Sequence, residues 1–156
     1  IKLIKLLSEC SGHSGIAGGQ YSDLQFEKKK IPLKKIIEMQ IKKTGKLFSF
    51  CCMAPVIISK KSNHISNFDK IGSDIGLLFQ IADDLIDYKG NTKKAGKKTK
   101  KDLKKGKATL ISLLGYKNTI KYANNLILKI NNKLKSYGSK SKDLSKTLDY
   151  ILNRKK

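Results

Sequence analysis

Arginine is all but missing from this chain. Of its 34 cationic residues only Arg154 is not a lysine, and the formal net charge is +22. Direct readers of base edges lean on the forked donors of arginine, and a chain with a single fork is poorly equipped for that work. The lysines are spread along the sequence beside many isoleucines and asparagines, the pattern of solvated faces filled with one basic residue type. A nucleic-acid partner is therefore not expected; a basic nucleic-acid-binding domain would instead show steeply salt-sensitive retention on DNA or RNA. Long apolar runs are missing too. No stretch approaches the roughly 20 residues of a membrane span. No charged-then-apolar leader with a small-residue cleavage site opens the sequence. No membrane partner and a cytoplasmic location are expected. Cysteine is scarce: Cys51 and Cys52 are adjacent and badly placed to bridge each other, Cys10 is distant, and no CxxC spacing supports zinc. Reduced thiols fit the same compartment. Glycine and proline are too few for a linker or a fibrous chain. What remains, 39% hydrophobic and 29% charged over 156 residues, suffices for one folded, soluble domain with a sizeable core.

No window alternates convincingly as a strand would, and no repeat has a solenoid period. The predicted fold class is all-α. Leu3, Leu6, Leu7 and Cys10 fall at helical spacing in a first helix over 2–12. "GHSGIAGGQYSDL" follows, its glycines marking either a loop or a helix packed tightly on a neighbour. After the turn "EKKKIP" a helix is expected from Leu33 to about Ile58, kinked or ended by Pro55. "KKSNHISN" is turn-like, and a long helix is predicted from about Phe68 to Tyr88. Residues 89–107 are expected as a lysine-rich loop, followed by a short buried helix in "ATLISLLGY", an amphipathic helix over 117–136, a break at "SYGSKS" and a last short helix through Leu144, Leu148, Ile151 and Leu152. His13 and His64 lack partners at ligand spacing and are expected on the surface or in packing. Phe48 and Phe50 are expected in the core.

The tightest carboxylate cluster of this basic chain sits in an apolar stretch, "GLLFQIADDLIDYKG", Gly76–Gly90. On a helix Asp83 and Asp87 stack on one face, and Asp84 shares a face with Gln80 and Asp87. Leu78, Ile81, Ala82 and Leu85 hold the other side. A surface helix would carry mixed charges on its polar side. Here the polar stripe is one glutamine and three aspartates. Such carboxylates repel one another, and burial makes each charge costly, so something cationic must compensate. Aspartate oxygens suit a hard divalent ion, and Mg²⁺ takes one or two carboxylates together with waters and substrate phosphates. With a lysine-rich stretch directly following, the pattern points to a diphosphate held between metal and ammonium groups. A cap of acids at a helix start is not the explanation, because these acids lie in the C-terminal half of the helix, where the dipole disfavours them.

"FQIADDLID", Phe79 to Asp87, resembles the second aspartate-rich motif, DDxxD, of the trans-isoprenyl diphosphate synthases. Four further segments stand in that family's order. "GIAGGQYSDL" (15–24) is similar to its GGQxxDL helix, "KKTGKLF" (42–48) to its KTGxLF segment, and "GKKTKKDLKKGKATL" (96–110) to its GKxxGxDLxxGKxT loop. "LDYILNRKK" resembles the C-terminus of bacterial farnesyl diphosphate synthases. The resemblance covers essentially the whole chain. It implies an all-helical isoprenoid-synthase-type bundle around a central cavity, incomplete here, usually a homodimer, that joins isopentenyl diphosphate to an allylic diphosphate. In that reaction Mg²⁺ draws on the allylic diphosphate, the C–O bond ionises, the isopentenyl double bond attacks the carbocation and a proton leaves.

Carried over residue by residue, the resemblance implies Asp83 as the direct Mg²⁺ ligand, with Asp84 and Asp87 supporting the metal and its waters. Lys43, Lys97 and Lys107 would hold diphosphate oxygens. Thr44 and Gln80 would aim oxygen dipoles at the carbocation. Gln20, Asp23 and Asp102 would stand behind them. Two positions depart from the family pattern: Gln40 replaces a histidine three residues before the motif lysine, and Lys100 replaces the second glycine of the loop. The family's first aspartate-rich motif and its upstream isopentenyl diphosphate site are absent. We therefore expect residues 1–156 to be the C-terminal part of a single prenyltransferase domain, nearly inactive by itself. Product length is open between farnesyl, geranylgeranyl and longer chains. A non-catalytic subunit docking on an intact synthase is the alternative, although such a subunit would have no chemical need for the DDxxD pattern.

Overall fold

The computed structural model describes residues 1–94, with side chains to residue 90, and residues 108–154. In chain order the helices are α1 (Lys2–Ser11), α2 (Ile16–Phe26), α3 (Leu33–Gln40), α4 (Lys46–Ile58), α5 (Ile65–Lys94), α6 (Leu110–Leu134) and α7 (Lys142–Asn153). No strand occurs among the described residues, as the sequence predicts.

The glycine-rich stretch forms a helix, α2, rather than a loop, with Gly18 and Gly19 buried. α3 and α4 form one rod over 33–58, as expected, but a single wide turn, Ile41–Gly45, joins them. Pro55 does not end this rod. It lies in the last turn, where its missing N–H removes one bond, and Ser59 N–H still reaches Pro55 C=O at 3.0 Å. α5 begins three residues before the predicted Phe68 and runs on to Lys94, so the expected loop at 89–107 starts later than its composition indicates. An exposed glycine costs a helix only about 1 kcal/mol relative to alanine, and a helix already nucleated propagates through Gly90. The two helices expected around Tyr116 meet inside α6 at Gly115, whose φ of 75° suits glycine and turns the chain there. Thr109 caps the start: Ser112 N–H donates to Thr109 Oγ1 and Thr109 N–H to Ser112 Oγ, both at 3.1 Å.

α5 is the axis of the bundle. Ile71, Ile75, Leu78 and Ile81 are buried along it, against Ile36 and Met39 of α3, Ala123 and Ile130 of α6, and Leu148 and Ile151 of α7. Each such aliphatic side chain contributes roughly 1.5–3 kcal/mol by leaving water. A helix buried on several sides this way cannot shift without disturbing its neighbours, and it carries the aspartates on its C-terminal half. One buried charge belongs to this scaffold. Asp74 is 7% exposed and accepts from Lys129 Nζ at 3.0 Å and Lys133 Nζ at 2.7 Å, tying α5 to α6. Because both lysines reach solvent, Asp74→Ala is expected to cost about 1–2 kcal/mol in urea unfolding, less than for a fully enclosed pair. A variant as stable as the parent would remove this tie from the account.

His64 packs as expected. Its ring lies 5.6 Å from that of Tyr137, whose hydroxyl is 3.2 Å from His64 Nδ1 and accepts from Asn67 Nδ2 at 2.9 Å. His13 is exposed. Phe48 joins the core edge and Phe50 is half-buried. Cys10, Cys51 and Cys52 are free thiols, and burial pushes Cys52 up to about 11. No helix among the described residues is long and apolar enough to cross a membrane.

Candidate active site

Three helices approach closely where the predicted motifs meet, because glycines leave room for backbone. A Cβ on Gly76 of α5 would lie 2.5 Å from Gly45 Cα, and one on Gly72 2.5 Å from Ser49 Cα. From the opposite side, a Cβ on Gly19 of α2 would lie 2.2 Å from Lys43 N. The wide turn 41–45 is thus held between α2 and α5 with no side chain in the gap.

Within that turn Lys46 N–H donates to Ile41 C=O, five residues back instead of four. Such wide turns recur at functional sites because they re-aim neighbouring side chains. Lys43 meets α2, where its Nζ donates to Asp23 Oδ2 at 2.6 Å. Thr44 meets α5, where its Oγ1 donates to Gln80 Oε1 at 3.1 Å. Gln80 Nε2 in turn donates to Asp84 Oδ1 at 3.4 Å. A cation, a hydroxyl, an amide and a carboxylate from three elements form one connected group.

The aspartates differ in environment. Asp87 is exposed, and Asp83 is paired with Arg154 Nη2. Asp84 is half-buried, with its Oδ2 enclosed. Burial raises its carboxyl to about 6, the Gln80 hydrogen bond opposes this, Asp87 and Asp83 add to it, and Lys43 opposes it. Among the described residues Asp84 Oδ2 is buried without a partner. Among the described residues no three histidine, cysteine or acidic side chains converge into a metal cage. Gln20 is exposed on α2, one turn from Asp23. Lys97, Asp102 and Lys107 lie outside the described residues.

A family model described as Polyprenyl synthetase matches residues 1–151. The chain belongs to the polyprenyl synthetase family. It is similar to the farnesyl diphosphate synthase of Micrococcus luteus, 33% identical over 157 residues that cover 100% of this chain and 54% of the relative. It is also similar to the geranylgeranyl diphosphate synthase of Cyanophora paradoxa, 32% identical over 156 residues, 99% of this chain and 52% of the relative. Among solved structures, the apo FPP/GFPP synthase of Zymomonas mobilis is 37% identical with a TM-score of 0.80, covering 96% of this chain and 50% of that one. A geranyltransferase of Helicobacter pylori, complexed with magnesium and isoprenyl diphosphate, is 26% identical with a TM-score of 0.77, covering 97% and 50%. The chain spans about half the length of the curated relatives it matches.

Two features of this polyprenyl synthetase site were not read from the sequence. The wide turn leaves a weak trace: buried positions step from Gln40 to Gly45, five residues, before resuming helical intervals at Ser49, Met53 and Val56. In the sequence Arg154 stands out only as the lone arginine. It arrives from the end of α7, and its guanidinium carbon lies 3.9 Å from the centre of the Phe79 ring.

Proposed function

We propose that this polyprenyl synthetase chain is the C-terminal part of a single prenyltransferase domain, a Mg²⁺-dependent enzyme of the farnesyl diphosphate synthase type. The complete enzyme joins isopentenyl diphosphate to an allylic diphosphate, as a cytoplasmic homodimer. The observation that carries this reading is the meeting of Lys43, Thr44, Gln80 and Asp84 around one wide turn. The family match and the names of the relatives support the reaction class.

The donor set fits the metal. A buried carboxylate oxygen without a partner, on a helix where two more carboxylates stand close by, lacks a cation rather than a hydrogen-bond donor. Mg²⁺ is bound through one or two carboxylates plus substrate phosphates, so the lack of a complete protein cage agrees with it. Asp83 would hold it directly, and Asp84 and Asp87 would support the metal and its waters. When bound, it supplies Lewis-acid pull on the diphosphate oxygens. Lys43 holds a diphosphate oxygen by a charge-assisted bond, and Asp23 keeps its ammonium aimed. Lys97 and Lys107 serve the same diphosphate. Thr44 and Gln80 place two oxygens 3.1 Å apart beside the reacting carbon, fixed dipoles suited to a developing positive charge. Gln20 and Asp102 complete the surroundings. The product is farnesyl or, given the equally similar geranylgeranyl diphosphate synthase, one unit longer.

The test is calorimetry with inorganic diphosphate on the chain extended upstream to the length of its relatives. Binding is expected only with Mg²⁺ present, and about 10- to 100-fold weaker in Lys43→Ala, as the loss of one charge-assisted bond implies. Equal binding without Mg²⁺, or by Lys43→Ala, would refute the assignment.

A further inference from the structure

Arg154 stands out twice. It is the one arginine among 34 cationic residues, and it lies on the aspartate helix. Its Nη2 bonds Asp83 Oδ1 and approaches Phe79 C=O at 3.5 Å, while its plane covers the Phe79 ring at 3.9 Å. A lysine can make one of these contacts at a time. Only a planar, delocalised cation stacks on an aromatic face and bonds a carboxylate from its edge. Its side chain is 13% exposed, and among the described residues Nε is buried without a partner and the guanidinium is held by these few contacts.

Asp83 is 43% exposed and opens toward solvent on its other side. Arg154 occupies one oxygen of this carboxylate, Oδ1, within a few ångströms of where a divalent ion on the same group would sit. A guanidinium and a divalent ion on the same carboxylate would repel each other strongly at that distance. We propose that Arg154 is the resident counter-ion of Asp83, and that binding of a divalent cation to the aspartate helix displaces it. The metal-free site then keeps this carboxylate neutralised and its geometry fixed, and loading the site releases the end of α7 from α5. This rests on the assignment of a divalent cation to Asp83–Asp87.

The lone arginine makes a direct test available. In a ¹⁵N–¹H spectrum of the 156-residue chain there is a single arginine Nε–Hε signal, shifted by the Phe79 ring. Backbone amides of Asp83–Asp87 report cation binding independently. On titration with Mg²⁺ alone, both sets of signals are expected to move together, the Nε–Hε signal toward its position in Asp83→Asn. Arg154→Gln is expected to bind Mg²⁺ about two- to fivefold more tightly, the range for losing one competing, partly exposed ion pair. A purely structural Arg154 would behave differently. The amides would move while the Nε–Hε signal stayed, and Arg154→Gln would bind Mg²⁺ no more tightly. That result overturns the proposal and leaves the cation site intact. Amides of Asp83–Asp87 that ignore Mg²⁺ in both proteins would overturn the cation site itself, and this proposal with it.

Discussion

Gly76→Ala is expected to lower stability by about 3 kcal/mol, the upper range for forcing a methyl group into a filled space. The added carbon would fall 2.5 Å from Gly45 Cα and 2.9 Å from Gly45 N. Neither can rotate away, because both are backbone. α5 and the wide turn would have to separate, and α5 is packed on its other sides by α3, α6 and α7. The same substitution two residues past Tyr88 supplies the control. Among the described residues nothing lies within 4 Å of a Cβ on Gly90, in the same helix, so Gly90→Ala should stabilise by about 0.5–1 kcal/mol. Thermal melts of the two variants should therefore move in opposite directions, Gly76→Ala down by roughly 6–12 °C. Equal shifts would mean that the glycine contact between α5 and the turn does not exist in solution.

Asp84→Asn should stabilise the fold and disable the enzyme. The carboxyl is raised from 3.8 to about 6 chiefly by burial, so at neutral pH the folded protein carries a charge that the unfolded chain holds more easily. Its folded value lies above its unfolded one. The penalty is thus absent below about pH 4, grows as pH rises, and is complete above about pH 6. The shift corresponds to at most about 3 kcal/mol, and solvent near the site reduces it, so a gain of about 1–2 kcal/mol is expected for Asp84→Asn at pH 7, vanishing at pH 4. In the complete enzyme the same change should lower turnover at least about 100-fold, because a neutral amide is a poor partner for Mg²⁺. A residue kept in place against stability is a mark of function. Asp84→Asn that destabilises at pH 7, or leaves turnover unchanged, would remove Asp84 from the site.

Much of this was legible because it rests on period and spacing. The apolar frame of α5 and its polar stripe of Gln80, Asp83, Asp84 and Asp87 could be placed on opposite faces by counting residues. Pairing Thr44-Gly45 with a close helix contact was also readable, since a glycine beside a functional residue often marks backbone approach. What was not legible depends on partners distant in sequence. Asp23 and Lys43 are 20 residues apart and Arg154 and Asp83 are 71 apart, and no local pattern joins them. The end of α5 was placed too early because lysine and glycine content resembles a loop, whereas a long helix continues through such residues once its first turns are packed. Past Pro55 the helix makes one more turn, to Ile58, because the ring removes a single bond and the proline carbonyl still accepts from Ser59 N–H.

The most direct measurement is condensation. The chain extended upstream to the length of its relatives should be incubated with geranyl and isopentenyl diphosphates and Mg²⁺, and the products identified. A prenyl diphosphate at least one isoprene unit longer than geranyl is expected, lost on chelation of the metal and reduced in Asp84→Asn. No longer product with Mg²⁺ present would contradict the assignment of this helix and wide turn to a prenyltransferase site.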